Sequence, residues 1–581
     1  MRELTPTTAW APSPRESVVA AVFIGAAALI VRIWGASIVV FPLPEDTAYY
    51  VSVARNVLDG RGLVTDALWS YATPPLTFPH PAFDVWLPLP TFLAAVPMAI
   101  FGSSFSSAQL SSTTAGALAA ILTWRLTADV ATEWGLPQSR ARILAVGAGL
   151  SASVSLPLVL ASSEPDSTAP FAVLTLAACL VMAKLGRDLR GASDPSASSD
   201  PATWSQTDSV RSPRVRFVTR MNGGAVPGLA VLGILLGMVA LTRNEAAWLA
   251  LAWIVVAWRI PGLGRRARLR VAGVPIMIAL LVFLPWAIRD WVVFGSPLPG
   301  QALSNSLSLD GRDIFAWQDR PSVSRYLAAG PATLLGLRLT GLAHNLFNVL
   351  LIPAAPVSIV GVAGLSRVIR SQVLRPLLAF AAVTFAIDTV VFPVATTWGT
   401  FLHAAGPIHM LLIVSALGIL DVLIARIGHL RGWTRPVHWL GPTFAIVGSL
   451  AMTIALLPGF GNEARITERR LSALAAALDT TPLRGFASGR VITDVPIWLA
   501  ATAQVRTLAL PNETPSSVLD LAEQFGAHLL VVDAQGGGRW PDILNANDRA
   551  AACFRPLDLV PTGGDPQPEL ASTRAYAIDC Q

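Results

Sequence analysis

Apolar runs of bilayer length recur along this chain, and they leave few folds open to it. A helix needs roughly 20 predominantly apolar residues to cross a membrane. Such runs occupy residues 18–40, 107–128, 142–161, 168–185, 226–242, 245–259, 271–289, 345–365, 376–394, 405–425 and 437–457. Only 13% of the residues are charged, about half the share of a soluble domain, and mean hydropathy is +0.56. The sequence predicts a polytopic α-helical membrane protein. The first run is too long for a signal-peptide core and lacks a small-residue cleavage site, so it is expected to stay as an anchor.

A twelfth stretch, 85–101, is apolar but holds Pro88, Pro90 and Pro97, and proline disfavours a regular helix. The arginines decide whether it crosses. With the N-terminus in the cytoplasm and this stretch lying along the membrane, the clusters Arg140–Arg142, Arg187–Arg220, Arg259–Arg270, Arg367–Arg375 and Arg426–Arg435 all fall inside. Positively charged loops stay on the cytoplasmic side. Eleven crossings follow, with the C-terminus outside. The net charge of +6 reports orientation, and without basic–aromatic interleaving it does not suggest nucleic-acid binding.

In this orientation the polar segments collect outside. They are the loop that opens with Glu45 and Asp46, SSEPDS (162–167), TRNEA (242–246), the loop 293–344 and TTWGTFLHAAGP (396–407). The expected organisation is a membrane domain over 1–457 and a small extracytoplasmic α/β domain over 458–581. Within the first, 41–106 forms an outer loop with juxtamembrane helices, and 187–225 is a Ser/Asp/Pro-rich disordered cytoplasmic loop. The second is inferred from strand-like and helix-like segments alternating after Pro458. Cys553 and Cys580 both lie in it, and a disulfide between them is chemically allowed there.

Each polar feature has a chemical and a structural reading. Glu45 and Asp46 suit a general base that takes a proton from an attacking hydroxyl; acids are also favoured at a helix start. Tyr49 and Tyr50 follow, as a sugar-binding surface would require. Glu164 and Asp166 form a second acidic motif, with Asp166 also a natural N-cap. Arg243 and Arg289 are candidate phosphate contacts, against a turn-closing pair with Glu245 and an interfacial snorkelling arginine. Arg32, inside the first run, has the same two readings. His80 could orient an acceptor or phosphate. No HxxxH or HExxH spacing occurs, so the sequence assigns no metal ligands and leaves a divalent metal open.

The order of these motifs carries a resemblance. An acidic pair precedes a tyrosine-rich helix and ARNVLDGRGL, then TFPHPAFD, AIFG, the second acidic motif, LTRNEA and PWAIRDWVVFGSPLP. The chain resembles the GT-C superfamily of polyprenyl-phosphate-sugar-dependent glycosyltransferases. Within it, the resemblance is to the protein O-mannosyltransferase and lipid A aminoarabinose transferase family (glycosyltransferase family 39-like), in an uncharacterised bacterial branch, and it covers residues 18 to about 457. It implies inverting transfer of a sugar from a polyprenyl-phosphate donor, on the outer membrane face, to a protein, lipid or glycan acceptor. It also implies Asp46 as base with Glu45 in support; Glu164, Asp166, His80, Tyr49 and Tyr50 as positioning groups; and Arg243 and Arg289 at the lipid phosphate. Relatives often carry an Arg-Tyr pair where this chain has TFLHAAGP, which leaves His403 as the substitute there. A flippase of lipid-linked sugars and a non-catalytic scaffold are the competing readings.

Overall fold

The computed structural model describes residues 10–193, 226–433, 437–480, 483–533, 538–545, 548–559 and 567–580. The expected disordered loop lies almost wholly outside the described residues. Helix meets each of the eleven expected spans. Among the described residues six helices are long and apolar enough to cross a membrane: Pro14–Ile38, Thr168–Arg190, Arg265–Phe294, Gly330–Leu351, Gly406–Leu430 and Leu440–Leu478. A seventh forms if Gln138–Val154 and Leu156–Ser163, bent by 52°, count as one span. The helices Val226–Ala240 and Ala246–Trp258 are shorter but apolar. Phe105–Glu133 is rich in Ser and Thr, yet its buried hydroxyls are satisfied by its own backbone, as Thr123 donates to the Ala119 carbonyl (2.8 Å) and Thr127 to that of Thr123 (2.8 Å).

Three expectations are modified. The run 345–365 is not one helix: Gly330–Leu351, ending in a π-helical stretch from His344, stops before Pro353 and Pro356, and Val357–Val368 starts anew. Residues 330–344, expected in an outer loop, thus continue into that helix. The proline-rich stretch, by contrast, is the expected juxtamembrane element: a helix over Leu89–Phe101 with Pro97 inside it, at 13 residues too short to span a bilayer. Arg32 neither snorkels nor waits for a phosphate.

Arg32 is buried and repairs the 52° bend. In an unbroken helix the Ser153 carbonyl would accept from residue 157, but Pro157 has no N–H. Arg32 replaces it, donating from Nη1 to Ser153 O (3.0 Å) and from Nη2 to Ala152 O (3.2 Å). Its Nε donates to Ser162 Oγ at 3.1 Å, beyond the bend. Gly116 makes the room, since a Cβ there would lie 2.4 Å from Arg32 Nε. The bend aims Leu156–Ser163, and with it the second acidic motif. Gln109 fixes the same end by donating to the carbonyls of Val39 and Ser163, both at 2.8 Å.

The C-terminal part is built on a six-stranded sheet. Its strands are β2 (Ala67–Leu68), β4 (Arg490–Thr493), β5 (Arg506–Ala509), β6 (Ala527–Val532), β7 (Phe554–Leu557) and β8 (Arg574–Ile578), in the order β2-β5-β4-β6-β8-β7. The first four run parallel; β8 and β7 are antiparallel. Apolar runs such as LLVV in β6 suit strands covered on both faces. Helix Pro515–Phe525 covers one side, capped by Thr514 with Pro515 at its first position. Cys553 and Cys580 form a disulfide.

Two features bind sheet to membrane part. Helix Leu440–Leu478 runs unbroken through Pro458 for 39 residues, about 58 Å at 1.5 Å per residue, and reaches the sheet. The edge strand β2 comes from the first loop and pairs with β5, Ala67 beside Thr507. In that loop β1 (Val64–Thr65) and β3 (His80–Pro81) form a separate two-stranded ribbon.

Candidate active site

Four polar segments distant in sequence meet at one end of the helix bundle. The first loop supplies Asp46 from the start of helix Glu45–Leu58. The second acidic motif supplies Asp166, just before helix Thr168–Ser193. Helix Thr400–Ala404 supplies His403, and the turn after Val226–Ala240 supplies Arg243.

His403 sits between the two carboxylates. Its Nε2 is 3.3 Å from Asp46 Oδ2, and its Nδ1 is 3.4 Å from Asp166 Oδ2 and 2.7 Å from Thr168 Oγ1. Each acid divides its oxygens between two duties. Asp46 Oδ1 accepts from the Thr47 amide at 3.0 Å, and Asp166 Oδ1 from the Thr168 amide at 2.7 Å. Each acid therefore has two duties: one oxygen accepts a backbone amide at the start of a helix and the other faces the histidine.

Burial pushes the Asp46 carboxyl above its ordinary value, and Asp166 adds to this, while His403 and Arg243 pull the other way. For His403, burial opposes the charge, but Asp46 and Asp166 outweigh it and raise its pKa. Glu164 lies beside this pair. Its Oε1 accepts from the Leu43 amide at 3.4 Å, whereas Oε2 is buried without a hydrogen-bond partner among the described residues. Burial, reinforced by Asp166, drives the Glu164 pKa well up.

Arg243 is a clamp. Its guanidinium donates to Glu245 (2.6 and 3.2 Å), Ser167 Oγ (2.9 Å) and the Thr400 carbonyl (3.2 Å). It thereby fixes the helix carrying His403 against the second acidic motif. Tyr50 bonds Ser167 on the same side.

Glu45 turns elsewhere. Its Oε1 accepts from the amides of Ile497 and Trp498 at 3.1 and 3.4 Å, and its Oε2 from Trp69 Nε1 at 3.4 Å. It caps helix Pro496–Ala503 of the C-terminal part, and burial raises its pKa to about 8. Tyr49 and Tyr50 are fully buried, so neither offers an open face to a sugar. Tyr49 Oη accepts from the Phe83 amide at 2.6 Å, and its ring packs on Trp86 with centroids 4.4 Å apart. His80 is buried with Asp84 Oδ2 at 3.5 Å from Nε2, and neither ring nitrogen has a hydrogen-bond partner among the described residues. Arg289 pairs with Asp290 Oδ1 at 2.8 Å and lies over the rings of Trp286 and Phe294. Neither His80 nor Arg289 touches Asp46.

Sequence reasoning missed Ser167, Thr168, Asp84 and Gln109. It also missed that Asp46, Asp166 and His403 can jointly face one ion: one donor atom from each lies within 4.8 Å of the others. Two carboxylate oxygens and an imidazole nitrogen suit a divalent transition metal. Spacing carried no sign of this, because the three donors come from three separate segments.

Comparison with solved structures settles the architecture. An oligosaccharyltransferase from Archaeoglobus fulgidus, tethered to an acceptor peptide containing the NVT sequon, superposes with a TM-score of 0.56 at 15% identity, covering 98% of this chain and 74% of that one. The same enzyme in complex with Zn and sulfate gives 0.52 at 16% identity, over 96% and 73%. ArnT from Cupriavidus metallidurans bound to undecaprenyl phosphate gives 0.50 at 14% identity, over 96% and 98%. The chain has the GT-C fold. No protein-family model matches the sequence, and no curated protein matches it. The superposed regions cover 98% and 96% of this chain, the sheet included.

Proposed function

We propose that this protein is a membrane glycosyltransferase that moves a sugar from a polyprenyl-phosphate donor to an acceptor at the extracytoplasmic face, with inversion. The observation that carries the reading is the convergence of Asp46, Asp166 and His403 from three loops at one end of a GT-C bundle. The sidedness rests on the arginine clusters. The Cys553–Cys580 disulfide supports it, because disulfides persist in oxidising compartments.

In this reaction Asp46 takes the proton of the acceptor hydroxyl as its oxygen attacks the anomeric carbon. The bond from that carbon to the phosphate oxygen breaks, and its electron pair leaves with the lipid phosphate. Arg289 is the better contact for that phosphate: it has given one N–H to Asp290, whereas Arg243 is engaged on all three nitrogens. Asp166 and Thr168 orient His403. The residues that would hold a divalent cation are Asp46, Asp166 and His403, and the cation would supply positive charge for the departing phosphate.

The test uses the full-length protein in liposomes with a panel of polyprenyl-phosphate sugars, reading release of free polyprenyl phosphate. Release by wild type that is lost in Asp46→Asn, with folding intact, supports the proposal. Transbilayer movement of the lipid without release favours a flippase and overturns it. Loss in Glu45→Gln alone would move the base to Glu45.

A further inference from the structure

The opposite end of the bundle carries an open groove of about 540 Å³, within the usual size of a small-molecule pocket, about 300–1,000 Å³. It lies between the start of helix Pro14–Ile38 and the helices Phe105–Glu133 and Gln138–Val154. The length of Pro14–Ile38 separates it from Asp46. Trp10, Phe23, Trp124, Val19 and Val146 form apolar walls, and Arg15 and Arg142 stand at the polar end with Glu16.

We propose that this groove binds one anionic phospholipid of the leaflet opposite the candidate active site. Three independent features define the occupant. The apolar walls open toward the lipid phase, where Val19 and Phe23 are 61% and 56% exposed, so an acyl chain can follow them. The polar rim has net positive charge: Glu16 pairs with Arg142, and Arg15 makes no ion pair among the described residues. Basic pockets between membrane helices at the headgroup level select anionic lipids. Finally, the Trp10 indole N–H is buried without a hydrogen-bond partner among the described residues. Trp10 is held there by Thr132 Oγ1, which donates to its carbonyl at 2.6 Å. A buried indole normally finds an acceptor, and the ester and phosphate oxygens of a phospholipid supply several.

Glu16 provides the discriminating variant. It forms the capping box with Ser13 and neutralises Arg142. If the rim serves only to hold the helix start, removing either partner of the pair acts alike. If it holds a lipid anion, the two variants act oppositely. The experiment is native mass spectrometry of the full-length protein from nanodiscs of phosphatidylglycerol and phosphatidylcholine. Wild type is expected to retain one phosphatidylglycerol per chain in preference to phosphatidylcholine. Arg142→Gln lowers that retention about fivefold, the worth of one arginine near a membrane surface; Glu16→Gln raises it; Trp10→Phe, which keeps a ring without the N–H, lowers it. Melting temperatures identify any variant that fails to fold, and Arg15→Gln then repeats the Arg142 test without touching the ion pair. Equal retention of the two lipids by wild type, or a fall in Glu16→Gln matching that in Arg142→Gln, overturns the proposal.

Discussion

Two buried acidic clusters flank Glu45, and they differ in the cation between their acids. In the candidate active site Asp46 and Asp166 face His403. In the C-terminal sheet, Asp494 and Asp533 lie just past the ends of β4 and β6. There Asp533 pairs with Arg470 at 3.0 Å, its amide donates to Asp494 Oδ1 at 2.8 Å, and Thr573 donates to its Oδ1 at 3.3 Å. Arginine stays charged at any working pH, and Arg470 holds Asp533 through one ion pair. Histidine can release its proton or turn a lone pair toward a metal. The same pairing of acids is therefore a fastener around Arg470 and a reactive group around His403.

The largest effect that would break this contrast is on activity. Asp46→Asn is expected to lower polyprenyl-phosphate release about 10²–10⁴-fold with the melting temperature maintained. An equal loss in Asp494→Asn would erase the difference between the clusters. Next comes stability. Arg470→Met leaves Asp533 buried and unpaired, which costs about 3–5 kcal/mol, read by denaturant titration, while the folded fraction keeps its activity. His403→Gln is expected to reduce activity about 10²-fold and to move the acid limb of the profile of kcat/KM against pH. Asp46 works as a base only above its pKa, and His403 now holds that pKa down; without the histidine the limb shifts to higher pH. Chelation of divalent ions should abolish the remaining difference between the two proteins if His403 is a ligand. The smallest effect is at Glu45, whose pKa is about 8 against about 4.3 in an unfolded chain. Its neutral form stabilises the fold, so its contribution is complete below about pH 4 and is lost as pH rises through 8. Glu45→Gln stays neutral throughout and should melt roughly 2–4 °C higher than wild type at pH 9 relative to pH 5.

The helical fold was legible because crossing a bilayer demands long apolar runs. The break near Pro353 was not, since apolar content alone does not fix where a helix stops. The unbroken passage of the last long helix through Pro458 was equally hidden. At the site, adjacency concealed a division of labour. Glu45 and Asp46 are neighbours in sequence but about 100° apart around a helix. Asp46 shares its face with Tyr50, four residues on, toward Ser167, whereas Glu45 shares the other with Tyr49, toward Trp69 and Trp86. A helical wheel would have separated them. No pattern along the chain could have brought His403 to Asp46, because that contact is made by packing alone.

The pairing of Ala67 with Thr507 also orders events during synthesis. Strand β2 is made early, and its partner β5 emerges only after all the described candidate membrane helices. Chain closure over such a span is slow, and an unpaired strand edge invites wrong partners meanwhile. At two residues, β2 is too short to serve as an effective template for them. The first loop can therefore wait beside the membrane without aggregating, and the later-made sheet locks it into position.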